Sequence, residues 1–334
     1  MARRNNSDAR RLIAALLVLA AHSASIAGDT AITVAGVTFG QVGVLMFFGI
    51  SGYLVTMSWE RDPRIGRFAL KRCLRIFPAL TVVLLATAFG LGPVITSEPV
   101  GAYLQDPQTW WYVAANLAFL YEQDLPGVFA SNPLHEVNGS TWTLGPETHA
   151  YVLVAVAGSL GLLRVHASCC RLWPPSAGRP SSRRWSSLTA GWILSFCVGA
   201  AAYVWRIRLD ARIAAVLVAC WLASGSIGGA HWVAGFAIPY ATLTIGLRAP
   251  IFFQALTARG DFSYGIYLYA FPVSQTWMHV APNANIPTVM AGTLLVAVPL
   301  AMLVAMDRTP RAGLEISSAR SASMARADPR QRRR

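Results

Sequence analysis

An all-α, polytopic membrane bundle of about ten transmembrane helices is the fold this sequence predicts, and three observations predict it. Of 334 residues, 54% are apolar and 13% charged, a charged share too small to cover a soluble domain of this length. The apolar residues gather in runs of roughly 16 to 25, the length of helix that crosses a hydrocarbon core of about 30 Å. Between the runs lie short segments that hold arginines, prolines and acids. An ordinary cytosolic enzyme, a disordered chain and a disulfide scaffold are excluded. Five cysteines (Cys73, Cys169, Cys170, Cys197, Cys220) are an odd number without a C-x-x-C pair, so neither a disulfide framework nor a zinc ribbon is indicated, and no metal is expected.

Apolar length places spans near 12 to 28, 37 to 58, 74 to 96, 142 to 163, 187 to 205, 212 to 227, 231 to 247, 262 to 281 and 288 to 306. A tenth, near 110 to 121, is short and rich in aromatics, either a tilted or partly buried span or an interfacial helix with its aromatics at headgroup level. The domain plan is a basic cytoplasmic N-terminus at 1–11, a membrane domain at 12–306 and a basic tail at 307–334, poor in apolar residues. Residues 167 to 186, rich in Ser, Pro and Arg, also read as unstructured. Arg3, Arg4, Arg10 and Arg11 before the first span, and Arg61 to Arg75 between the second and third, orient both segments to the cytoplasm. Later loops conflict: counting 110 to 121 as a span puts the tail inside and the arginine-rich loop at 164 to 186 outside, and omitting it reverses both. Ten spans are chosen because the segment around Arg206, Arg208 and Arg212 and the tail then both fall inside. The net charge of +13 fits anchoring at anionic lipid rather than nucleic-acid binding, since no aromatic residues interleave with it.

Chemistry is sought among polar groups inside apolar runs. His22 follows ten apolar residues, about 15 Å into the first span and near the middle of the bilayer, where an ionisable group is expensive and marks a functional interior. A histidine bonded to a neighbouring helix is the bland alternative. Arg11 lies three helical turns before it on the same stripe, roughly 16 Å away, so one can hold a phosphate at the cytoplasmic mouth while the other meets a reactive group. Arg10 reads as a plain positive-inside anchor. A removable signal peptide is a rival for the whole N-terminus, although Asp8 and the prompt second hydrophobic run favour a retained span.

Further along, Phe47-Phe48-Gly49-Ile50-Ser51-Gly52-Tyr53 sets small residues in mid-span, for tight packing or for close approach of a thin ligand arm. Arg72 and Arg75 share a helical face where the third span begins, as phosphate ligands or topological anchors. Glu147, after Trp142-Thr143-Leu144, heads an apolar run as a helix-start charge or as a buried partner for a cation such as His22. In Gly260-Asp261-Phe262-Ser263-Tyr264, Asp261 reads as a helix cap.

Taken together and in this order, Arg11 with His22, the Phe47 to Gly52 block, Arg72 to Arg75 before Phe77-Pro78, Trp142-Thr143-Leu144 with Glu147, and Gly260 to Tyr264 resemble the membrane-bound acyltransferase-3 family, over residues 5 to 306. The resemblance implies a protein of the bacterial cytoplasmic membrane that moves an acyl group, expected to be acetyl, from acyl-CoA to a hydroxyl of a carbohydrate or lipid-linked acceptor. It implies His22 as general base, with Glu147 orienting it or holding the acceptor. Arg11, Arg72 and Arg75, with Ser51 and Gly52, would hold the CoA donor, and Trp142 and Tyr264 the substrate. The family's frequent histidine after the Tyr-Leu pair is absent, since Tyr269 follows Leu268, and no fused extracellular esterase-like domain is expected, so the membrane domain must handle the acceptor alone. A transporter or flippase fits the composition as well, and a catalytically silent scaffold is a third reading.

Overall fold

In the computed structural model, which describes residues 7–164, 183–225, 230–248 and 262–306, most of the expected spans are helices. Helix α1 (Ser7–Ile26) carries Asp8 in its first turn, where the helix dipole favours negative charge. A small antiparallel hairpin, β1 (Thr33–Val34) and β2 (Val37–Thr38), leads into α2 (Phe39–Arg61). There the Gln41 N–H donates to the Thr38 hydroxyl at 3.2 Å and the Thr38 N–H to Gln41 Oε1 at 2.9 Å, a reciprocal cap that fixes where the helix starts. Helix α3 (Ile65–Leu85) runs on through a π-helical turn at Ala86–Leu91 into α4 (Gly92–Ile95), a continuous rod of 31 residues. The π turn disturbs the regular ladder, and the buried Tyr103 hydroxyl donates to the Ala88 carbonyl at 2.7 Å.

The short helices α5 (Val100–Gln105) and α6 (Pro107–Leu117) follow, the latter capped by Asp106. At 11 residues α6 is only about 16 Å long, against about 20 residues needed to cross. Its end dips inward, with Phe119 packed 5.6 Å from Phe77 of α3. The chain then returns to its starting rim, where Thr96 Oγ1 donates to the Pro126 carbonyl at 2.8 Å and the Ser97 N–H to the Gly127 carbonyl at 3.1 Å. Residues 110 to 121 are therefore a re-entrant element, which corrects the expectation of a span there. Six helices follow among the described residues: α7 (Leu144–Ser159), α8 (Arg183–Val204), α9 (Ala211–Ser224), α10 (Ala230–Arg248), α11 (Ser263–Val280) and α12 (Ile286–Met306).

 These six helices, α7 to α12, complete the bundle around α1 to α3.

Helix α2 is the hub, with α1, α7, α8 and α10 around it, while α11 packs between α1 and α12 and touches α3. Close approach at the hub depends on glycine. A Cβ at Gly43 would press on the Ala14 carbonyl of α1, and one at Gly52 would run into the Phe196 carbonyl of α8. Gly52 thus serves helix packing, which corrects the expectation that it binds a ligand: its one open face is filled by a neighbouring backbone. Arg10 is also corrected. It is buried between α1 and α10 and donates to the Thr242 carbonyl at 3.2 Å, so it ties two helices together instead of reaching for headgroups. Helix α1 is a member of the core, with Ala14, Leu19 and Ile26 almost fully buried, which does not suit a removable leader.

Four helical stretches are long and apolar enough to cross a membrane, Asp8–Ile26, Phe39–Arg61, Ile65–Ile95 and Ile286–Leu303. Large apolar side chains such as Val94, Leu295 and Leu303 lie outward and exposed, as a lipid-facing surface requires. Arg11 and Ser263 line one cavity, and Gly265 packs on Ala301, so the start of α1, the start of α11 and the last turns of α12 share one rim. This basic rim also carries Arg64, Arg67 and Lys71, gathered on Asp62 at 2.5, 3.8 and 3.4 Å. Arg64 and Lys71 hold the Asp62 carboxyl below its usual range, the Arg64 hydrogen bond most of all.

Candidate functional site

Near the basic rim, α1, α2, α3, α7 and α11 enclose a cavity of about 40 Å³ lined by Arg11, Ser51, Arg75, Glu147, Tyr264 and Tyr267 among others. Five residues expected from the sequence, Arg11, Ser51, Arg75, Glu147 and Tyr264, therefore meet at one place. The helical repeat explains the convergence. Ser51 sits on the hub helix, Glu147 is in the first turn of α7, and Tyr264 and Tyr267 are three apart on one face of α11. Glu147 Oε1 accepts from the Ser51 hydroxyl at 3.4 Å and from the Tyr151 hydroxyl one turn further along α7. Tyr267 and Thr143 share a buried hydroxyl pair at 2.8 Å, which closes the inner wall.

Arg72 is not in this lining. Its guanidinium lies 5.5 Å over the Phe68 ring and 5.4 Å over the Tyr151 ring, and Nη2 donates to Ser58 Oγ at 3.3 Å. It borders an apolar groove of about 460 Å³ between α3 and α7 instead. Tyr151 thus links the two, touching Arg72 with its ring and Glu147 with its hydroxyl. Trp142 also lies elsewhere. It packs against Trp192, ring centroids 4.2 Å apart, in an aromatic cavity of about 410 Å³ with Phe48, Tyr121 and His149.

His22 stands apart from the arginines. It is half-buried on α1, four residues before the helix ends at Ile26. The apolar run before it is as long as expected, and the helix ends one turn after it. Its ring packs edge-on against Phe271 of α11 at 4.8 Å. Phe271 continues the α11 face that begins with Tyr264 and Tyr267, so a single stripe of α11 follows the stripe of α1 from Arg11 to His22. Glu147 is bonded to Ser51 and Tyr151 rather than to His22, so the expected pairing of Glu147 with His22 is not what the structure forms. The loop over the far end of this stripe is held by buried amides. Gln275 Nε2 donates to the Leu134 and Glu136 carbonyls at 2.8 and 2.6 Å, Asn132 Nδ2 to Gln275 Oε1 at 2.7 Å, and Asn138 Nδ2 to the Leu268 carbonyl at 3.1 Å.

Tyr151, Tyr267, Gln275 and the loop at 132–140 carried no assigned role from the sequence, although Tyr151, Tyr267 and Asn138 to Ser140 lie in or beside the blocks it singles out. Tyr151 at four residues from Glu147, and Tyr267 at three from Tyr264, were available signals, because those spacings put side chains side by side on a helix. Gly260 and Asp261 lie outside the described residues. No group of three or more His, Cys, Asp or Glu side chains suited to a metal occurs among the described residues.

Comparison with known proteins adds the chemistry. A family described as an acyltransferase domain, the acyltransferase-3 group, matches residues 4–306. An O-acetyl transferase of Shigella phage Sf6 is 27% identical over 313 residues, covering 89% of this chain and 92% of that protein. Nodulation protein 10 of Rhizobium leguminosarum bv. viciae is 31% identical over 314 residues, 82% of this chain and 83% of its own. No solved structure matches.

Proposed function

Since the chain belongs to the acyltransferase-3 family and is a membrane acyltransferase, we propose that it transfers an acetyl group from cytoplasmic acetyl-CoA to a hydroxyl of a carbohydrate-containing acceptor. The O-acetyl transferase relative supports acetyl as the group, and relatives from a phage and a bacterium support a bacterial cytoplasmic membrane as the location. Family membership sets the transporter reading aside.

One observation carries the mechanism: the α1 and α11 stripes join the arginine cavity to His22. Arg11 and Arg75 hold CoA phosphates at the basic rim, with Arg72 behind them, because guanidinium groups bind phosphate through paired hydrogen bonds. Ser51 and Tyr264 flank the arm that carries the thioester along the stripe. Glu147 acts on this donor side, balancing the arginines while Ser51 and Tyr151 fix it. His22 takes the proton of the acceptor hydroxyl as its oxygen attacks the thioester carbonyl. The carbon–oxygen bond forms, the carbon–sulfur bond breaks, and the proton passes to the departing CoA thiolate. General-base help of this kind is worth about 10² to 10⁴ in rate. Trp142 offers a flat apolar face for a sugar ring.

Sidedness tests the reading. Protein reconstituted in liposomes, with acetyl-CoA supplied to the basic rim only, should release free CoA. Arg11→Glu and Arg75→Glu should each raise the KM for acetyl-CoA at least tenfold, and an unchanged KM in both variants would refute the donor site.

A further inference from the structure

The loop over His22 carries a second carboxylate that the mechanism leaves unused. Glu136 is half-buried, and its side chain makes no hydrogen bond or ion pair among the described residues. Its backbone is nevertheless held firmly, by Gln275 at the Glu136 carbonyl itself and by Asn138 two residues on. The carboxylate is seated over Gly139 and Phe271: a Cβ at Gly139 would lie 2.6 Å from Glu136 Oε2 and 2.5 Å from Phe271 Cε2. Phe271 is the ring against which His22 packs. Glu136 Oε2 therefore lies within about 5 Å of the Phe271 ring against which His22 packs, whereas Glu147 is committed to Ser51 and Tyr151 near the arginines.

We propose that Glu136 holds the acceptor, accepting a hydrogen bond from one hydroxyl of a polyol so that a neighbouring hydroxyl is presented to His22. The inference rests on the acetyl-transfer reading above and adds the substrate class, a sugar with adjacent hydroxyls. A carboxylate without a partner among the described residues, on a clamped backbone near the ring that His22 packs against, is arranged to receive hydroxyl donors from outside the protein. Burial raises its carboxyl above the ordinary value and Asp124 adds to this, and a hydroxyl donated by the sugar would offset that cost. Glu136 binds substrate without exchanging a proton with it. Chemistry at His22 is left as it was.

The test compares wild type, Glu136→Gln and Glu136→Ala in membranes, with labelled acetyl-CoA and two acceptor probes: methyl α-D-glucopyranoside, a polyol, and 1-butanol, a single hydroxyl. A hydrogen bond to a charged group is worth about 1.5 to 3 kcal/mol, so the KM for the glucoside should rise about tenfold to a hundredfold in Glu136→Ala. The value of kcat should stay close to wild type, as should transfer to butanol and the slow hydrolysis of acetyl-CoA. Equal losses with both probes, or a fall in kcat at constant KM, would overturn the proposal and make Glu136 a residue that acts through His22 or the fold. An unaffected glucoside KM in both variants would overturn it too. Failure of the acetyl-transfer reading is distinguishable, because wild type would then turn over acetyl-CoA with neither probe nor water, and the proposal would fall with it. Glu136→Gln keeps the shape of a side chain that bonds to nothing, so folding is preserved.

Discussion

Replacing Glu147 separates its place among the arginines from a place beside His22. Its Oε1 accepts two hydroxyl donors, Ser51 at 3.4 Å and Tyr151 at closer range. Hydrogen bonds to charged groups contribute about 1.5 to 3 kcal/mol, and the long Ser51 contact belongs at or below the low end. Glu147→Ala should therefore destabilise the fold by about 2 to 4 kcal/mol, while Glu147→Gln, which keeps a neutral acceptor, should lose roughly half as much. A double-mutant cycle with Tyr151→Phe, followed by thermal denaturation in detergent, isolates the pair; a coupling of about 1 to 2 kcal/mol is expected for groups in direct contact. In Glu147→Gln the pH profile of acetyl transfer should keep its wild-type midpoint, since Glu147 does not orient the base. Additive effects of the two substitutions, or a displaced midpoint, would refute the reasoning.

Three further outcomes are expected. Gly52→Ala should lower thermal stability by several degrees without altering the KM for acetyl-CoA in whatever fraction stays folded, because the added methyl meets the Phe196 carbonyl; a selective KM change would restore a ligand role. Tyr103→Phe should cost about 1 kcal/mol in the same denaturation assay, the worth of one buried hydrogen bond at the π turn, and an unchanged stability would count against that bond. Glu136→Gln should stabilise the unliganded protein at neutral pH. The Glu136 carboxyl is held above its ordinary value, so its charged form opposes folding at high pH and the penalty fades as the pH falls into the carboxylate range; a benefit that grows in acid would contradict the sign.

The stripe from Arg11 to His22 was legible because eleven residues make three helical turns, and nothing in the packing can change that repeat. The convergence of Ser51, Arg75, Glu147 and Tyr264 was legible only as a set of resemblances, since their contacts cross helices far apart in sequence. Gly52 and Arg10 were misread for a common reason. Sequence shows that a position is small or charged, but not which neighbouring backbone faces it, and here those faces belong to α8 and α10. The re-entrant turn at 110 to 121 has the composition of a span, and its failure to cross comes from where the chain rejoins Thr96 and Ser97. Glu136 was invisible for the opposite reason: an acid in a polar loop is ordinary until Gln275 and Phe271 are seen to surround it.

Removing the imidazole tests the central claim most directly. Purified His22→Ala in liposomes, supplied with labelled acetyl-CoA and an acceptor, should lose acetyl transfer by about 10² to 10⁴ while binding acetyl-CoA with wild-type affinity, because the base and the phosphate-binding arginines sit at opposite ends of one stripe. Near-normal transfer in that variant, or a loss of donor binding that accounts for the whole effect, would contradict it.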